Sequence, residues 1–168
     1  PLAGGLAGRL ADGVADRIKD GLAGVGVGVG GTPASSGPLS GATRPLPRIA
    51  VLPSSSFDEE DVLLRNVARR DLDLSGEFDL LSDDEVPDTY SSADSLELAP
   101  WSRKKVEALV EVRAAPLDGG DKVALRGRVF LVHHGATAVF DKRFVVSKAA
   151  FRVEAHRLSD LIIGALTG

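Results

Sequence analysis

Three histidines, a run of three serines and a knot of carboxylates carry what catalytic or metal-binding chemistry this chain offers. His133 and His134 are adjacent, so on a strand they point to opposite faces and in a turn both face solvent. Neither geometry converges on one ion. His156 and Asp160 stand four apart in a helix-patterned stretch, which brings both onto one face. A metal would need a further ligand there and none is near, so a local His–Asp hydrogen bond or a packing role is expected. Ser54, Ser55 and Ser56 follow an apolar run at the strand end where open α/β sheets bind ligands. A nucleophilic serine needs a sharp elbow between small neighbours and a positioned histidine, and the flanking Pro53 and Phe57 supply neither. These serines read as a solvated loop. Asp83, Asp84 and Glu85 cluster without calcium-loop spacing and read as a helix start. No cysteine is present, which excludes disulfides, thiolate metal sites and a cysteine nucleophile. With no nucleophile, base and oxyanion donor converging, the reading is non-enzymatic, with no catalytic, cofactor or metal residue.

Charge narrows the partners. The net charge is −4, whereas phosphate binding needs a basic face to displace counterions. Arg103-Lys104-Lys105 is soon met by Glu107, and neither Arg69-Arg70 nor Lys104-Lys105 is interleaved with aromatics, so nucleic acid is not an expected partner. No apolar stretch reaches the length of a membrane span. No basic-then-apolar leader is present, so any export signal is expected to have been removed.

The elements that would position these residues occupy one part of the chain. Residues 1–46 are rich in Gly, Pro, Ser and Thr, with GVGVGVGG from Gly24 to Gly31, and read as an arm. Its glycine run follows no strand and is not read as a nucleotide loop. Leu2, Leu6, Leu10, Val14, Ile18 and Leu22 recur every four residues, but Gly8, Gly13 and Gly21 interrupt them. The stretch 2–22 is therefore either unstructured in isolation or a short amphipathic helix that docks on something.

Residues 47–168 read as the folded unit. Ile49 to Leu52 form a short buried strand stopped by Pro53. Asp58 to Asp61 open a helix, with acidic side chains opposing the positive end of its dipole. Leu63, Leu64, Val67, Ala68, Leu72 and Leu74 give that helix its apolar face, and Gly76 ends it in left-handed geometry. Phe78 to Leu81 are a second strand, and Ser82 with Glu85 have capping-box spacing. A helix is expected over 96–105, then strands over 108–114, 122–133 and 137–146, and a last helix over 148–166. The order β-α-β-α-β-β-β-α predicts an α/β fold with a mixed sheet of about five strands: parallel where helices alternate, antiparallel where turns are tight.

Three stretches in this order resemble the TolB N-terminal domain family. The first is Arg44-Pro45-Leu46-Pro47-Arg48-Ile49-Ala50-Val51-Leu52-Pro53, similar to a proline-flanked opening strand. The second is Asp71-Leu72-Asp73-Leu74-Ser75-Gly76-Glu77-Phe78, similar to a helix exit of the form D-L-x-x-S-G-x-F, joined by Trp101 and Ala108-Leu109-Val110. The third and most specific is Arg152, Ala155-His156-Arg157, Ser159-Asp160 and Leu166-Thr167-Gly168, similar to the closing helix. The resemblance covers residues 44–168. Ser54 stands where the family tends to carry Phe, and Phe57 is expected to refill that space.

The resemblance implies a three-layer, anticodon-binding-like α/β fold whose five-stranded sheet has one strand running opposite to the rest. It implies a periplasmic, non-catalytic protein-interaction domain of the Tol-Pal envelope system, which maintains the outer membrane and aids cell division. It further implies a TolA-like inner-membrane partner engaged by the segment before the first strand, represented here by Gly41, Arg44, Pro45 and Pro47. A Pal contact is implied only where a β-propeller follows, so this chain is expected to be a fragment or a stand-alone paralogue. Ile49, Val51, Pro53, Ser75, Gly76, Trp101, Arg152, His156 and Asp160 are carried over as structural signature residues. The alternative is an outer-membrane lipoprotein or assembly subunit sharing the same strand–helix–strand pattern.

Overall fold

A computed structural model describes residues 45–88 and 95–168. The stretch 2–22, Gly41 and Arg44 lie outside them.

β1 (Arg48–Val51) is apolar on both sides because it is central: it pairs in parallel with β2 (Asp79–Leu80) on one flank and β3 (Ala108–Pro116) on the other. β3 pairs antiparallel with β4 (Lys122–Leu131), and β4 antiparallel with β5 (Ala138–Ser147). The order across the sheet is β2-β1-β3-β4-β5, and β4 alone runs against the other four. The fold is thus an α/β three-layer arrangement on a five-stranded mixed sheet, with the element order read from the sequence.

α1 (Glu59–Leu74) and α3 (Phe151–Thr167) cover one face. Leu64, Ala68 and Leu72 from α1 and Phe151, Ala155, Leu158 and Ile162 from α3 pack there on Val110, Val112, Leu125 and Val129. α2 (Ala99–Arg103) covers part of the other face, where Trp101 packs with Leu52, Leu81, Leu109 and Phe130. Trp101 is 1% exposed, and an indole of that size supplies much of what this smaller layer removes from water.

Gly127 on β4 sets how closely α3 approaches. A Cβ built there would lie 2.8 Å from Leu158 Cδ1 and 3.2 Å from Ile162 Cδ1, so only glycine leaves room for the two side chains as they stand. Gly76, with φ of 70°, closes α1 in the left-handed conformation expected of it.

Several expectations are corrected. Leu74 is 69% exposed rather than on the apolar face, because two residues beyond Leu72 lie about 200° around the helix. Phe57 is fully exposed and refills nothing; the loop carries it outward ahead of Asp58, the extended N-cap of α1. The second helix spans only Ala99–Arg103, closed by Lys105 at φ of 58°. The last helix starts at Phe151, after a 3-10 turn over Lys148–Ala150 in which Ser147 Oγ accepts from the Ala150 N–H.

Candidate protein-interaction site

The segment before β1 is held at one end and presented at the other. The Pro47 carbonyl accepts from the Asp79 N–H at 3.0 Å, and the Arg48 carbonyl from the Glu107 N–H at 2.8 Å. The Arg48 guanidinium reaches Glu85 Oε1 at 3.1 Å, Asp79 Oδ2 at 3.4 Å and the Lys104 carbonyl at 3.4 Å. Glu85 is held below the usual carboxylate range by the Ser82 hydroxyl first, then by the Ser82 N–H and the nearby Arg48 and Lys104 charges. The bond from the Ser82 N–H to Glu85, at 3.3 Å, is the reaching-back half of the capping box foreseen from Ser82 and Glu85. Upstream of this clamp, Pro45 is exposed and Leu46 is 48% exposed.

The C-terminal ends of β1 and β2, where open sheets usually bind ligands, are occupied by this chain's own arginines. Arg65 donates to the carbonyls of Leu52 (2.9 Å) and Val51 (3.1 Å), and Arg69 to that of Leu81 (3.2 Å). Asp83 joins the two guanidiniums, at 2.5 Å from Arg65 and 3.0 Å from Arg69. Its carboxyl is pulled down, chiefly by the hydrogen bond from Arg65 and then by both positive charges. Ser55 is bonded to Arg113 and Ser56 to Asp58 and Asp61, with no histidine among the side chains they meet. Pro53 is half-buried at the end of β1.

The signature residues divide into core and surface. Ile49 and Val51 are each 1% exposed and lie in the main core. Ser75 Oγ donates to the Leu72 carbonyl at 2.7 Å, closing the turn that Gly76 completes. On α3, Arg152 and Asp160 are exposed. His156 does not pair with Asp160: its Nδ1 lies 2.8 Å from Asp71 Oδ2 on α1. Packing α3 beside α1, with Lys148 against Glu60 and His156 against Asp71, offers a partner from another element, which the helical spacing within α3 does not reveal. His133 and His134 sit exposed on a 3-10 turn (Val132–His134) before Gly135, as expected of turn residues.

Sequence reasoning missed two groups. Asp61, read as one acid of a first turn, is buried; its Oδ1 accepts from the Ala114 N–H at 2.8 Å. Its spacing to Leu64, Ala68 and Leu72 was the signal, since those four share one helix face. The second group lies on the sheet face that α2 leaves open. Glu111 on β3 is buried between Arg113, at 2.9 Å, and Arg128 on β4. Arg126 pairs with Asp141 on β5 through contacts of 2.6 and 3.0 Å. That contact lowers the Asp141 carboxyl, by the hydrogen bond first and then by the charges of Arg126 and Arg128. Alternation in the third to fifth strands carries this signal: Leu109, Glu111 and Arg113 fall opposite Val110, Val112 and Ala114.

Among the described residues no group of three or more His, Asp or Glu side chains could hold a metal ion, and no helix is long and apolar enough to cross a membrane. A family model described as the TolB amino-terminal domain matches residues 39–136. The Tol-Pal system protein TolB of Coxiella burnetii (strain RSA 493 / Nine Mile phase I) is 29% identical over 131 residues, covering 76% of this chain and 30% of that protein. The protein of the same name from Nitrosococcus oceani is 29% identical over 133 residues, covering 77% of this chain and 30% of its own length. The chain thus spans about 30% of the length of these relatives. The crystal structure of TolB from Acinetobacter baumannii superposes with a TM-score of 0.60 at 20% identity, over 73% of this chain and 29% of that one, and bears out the fold.

Proposed function

Because the chain belongs to the TolB amino-terminal domain family, we propose that it serves the Tol-Pal cell-envelope system as a non-catalytic, periplasmic protein-interaction domain. The match to that family over residues 39–136 carries this reading, and its first matched residues are those before β1. The interaction segment comprises Gly41, Arg44, Pro45 and Pro47, and its partner is a TolA-like inner-membrane protein. Through that contact the domain supports outer-membrane integrity and division. A Pal contact belongs to a propeller and not to this domain.

The geometry at β1 supports the role. Arg48 is fixed by Glu85, Asp79 and the Lys104 carbonyl, so the chain leaves the domain from a rigid point. Pro45 and Pro47 restrict the backbone on either side of the exposed Leu46, which lowers the ordering cost of binding. The ends of β1 and β2 are filled by Arg65, Arg69 and Asp83, which favours contact through a segment over a ligand pocket.

Calorimetry of the chain with the soluble part of a TolA-like inner-membrane protein tests the proposal. Binding is expected, and removing residues 39–46 abolishes it without changing the far-ultraviolet spectrum. Absence of binding by the intact chain, or binding indifferent to that deletion, overturns it.

A further inference from the structure

β5 is an edge strand, and the register fixes which of its backbone groups are spare. The Lys148 N–H donates to the Asp121 carbonyl at 2.8 Å, in line with the pairing of Lys122 with Ser147 and Val123 with Val146. Hydrogen-bonded and non-bonded pairs alternate along an antiparallel ladder. Val146, Phe144 and Lys142 therefore bond to β4, while Val145, Arg143 and Asp141 direct their N–H and C=O groups away from the sheet. Among the described residues nothing pairs with those outward groups.

Both flanks of this edge are shaped. Toward α3 a groove is lined by Phe144, Val146, Ala150, Leu161, Glu154 and Arg157, with Leu161 41% exposed. On the opposite face Val145 is 52% exposed beside Arg143, and Arg126 follows on β4. Asp141 is engaged by Arg126, whereas Lys142 on the groove side and Arg143 on the open side have no charge partner among the described residues. The edge is thus apolar on one flank and carries spare cations on both.

Charges on an edge strand ordinarily block pairing. Here they select for it. A second copy pairing antiparallel around positions 142–143 would set Lys142 and Arg143 against their own kind, which is unfavourable. A strand with carboxylates on the open face meets Arg143 with opposite charge instead. We propose that the β5 edge accepts an extended segment of a partner protein in which apolar residues alternate with acidic ones. The apolar residues enter the groove against α3, and the carboxylates face Arg143, Arg126 beside it being held by Asp141. This surface lies on the opposite edge of the sheet from β2, and the inference stands independently of the contact proposed before β1.

The test uses the full chain, isotope-labelled, with a capped ten-residue peptide alternating Val and Glu and a counterpart alternating Val and Lys. The Glu peptide is expected to shift the amide signals of Asp141, Arg143 and Val145, protect them from hydrogen exchange, and bind about tenfold more tightly than the Lys peptide. Val145→Pro removes an outward N–H and leaves the β4 ladder whole, a substitution edge strands tolerate; it abolishes binding while the thermal transition is retained. Arg143→Glu reverses the peptide preference. Equal binding of both peptides, shifts confined to other elements, pairing of β5 with a second copy, or unchanged affinity in a folded Val145→Pro overturns the proposal. Should Val145→Pro not fold, failure of the Glu peptide to protect the three wild-type amides overturns it equally.

Discussion

The carboxylate of Asp61 stands where β1 runs out: its Oδ1 accepts from the backbone N–H of Ala114 at 2.8 Å, with both groups buried. β1 pairs with β3 only as far as Val51 and Val110, with one further bond from the Leu52 N–H to the Val110 carbonyl. The next part of β3 extends past its neighbour, and a side chain from α1 does what a strand would otherwise do.

Asp61→Ala leaves that N–H buried and unpaired, and is expected to cost about 1–3 kcal/mol. Asp61→Asn keeps an acceptor oxygen and costs less. Urea unfolding of both variants checks the order; equal loss would show that the charge, not the acceptor, matters.

Gly127→Val forces a side chain into the space held by Leu158 and Ile162, and is expected to destabilise by about 1–3 kcal/mol. Adding Leu158→Ala recovers part of the loss, because the space taken by the valine is the space Leu158 vacates. A double-mutant cycle measures the coupling; strict additivity would contradict the close approach of α3.

Asp83 makes stability fall with acid. Its folded-state carboxyl is lowered by Arg65 and Arg69, so its contribution is complete above the unfolded value of about 4 and is lost as pH drops through the lower folded value. Asp83→Asn is expected to flatten the stability profile below about pH 4 and to lower its plateau at neutral pH. Chemical unfolding across pH for both proteins gives the comparison, and parallel profiles would remove Asp83 from this role.

His156→Ala is expected to cost no more than about 1 kcal/mol, since the ring is half-exposed where it meets Asp71. Asp160→Ala is expected to be neutral. A double-mutant cycle with Asp71→Ala finds coupling for His156 and none for Asp160.

The ordering of elements was legible because it is local. Gly76 at a helix end, Ser82 three residues before Glu85, and the apolar runs at 49–52 and 108–114 each declare themselves within one or two turns of chain. What failed was long-range. Phe57 looked like a core residue by type, yet the loop ahead of Asp58 turns it to solvent. His156 looked paired within its helix, yet Asp71 is 85 residues away in sequence and adjacent in space. Asp61 was read as one acid of a helix start and Glu111 was not singled out, because their partners, Ala114 and Arg128, become neighbours only once the sheet forms. The segment at 41–47 was singled out by likeness alone, for no spacing rule marks a peptide proposed to bind outside its own fold.

The solitary reversed strand has a consequence for how the chain assembles. β3, β4 and β5 follow one another as a meander and α3 comes directly after, so that half closes short loops as it forms. β1 must instead slot between β2 and β3, pairing Ile49 with Ala108 after α1, β2 and α2 have intervened. Contacts across such spans are slow to make. The meander with α3 is accordingly expected to form first, and native-state hydrogen exchange is expected to show β1 and β2 opening before it; uniform protection across the five strands would contradict this. The segment proposed to bind a partner is attached to the half of the domain expected to open first.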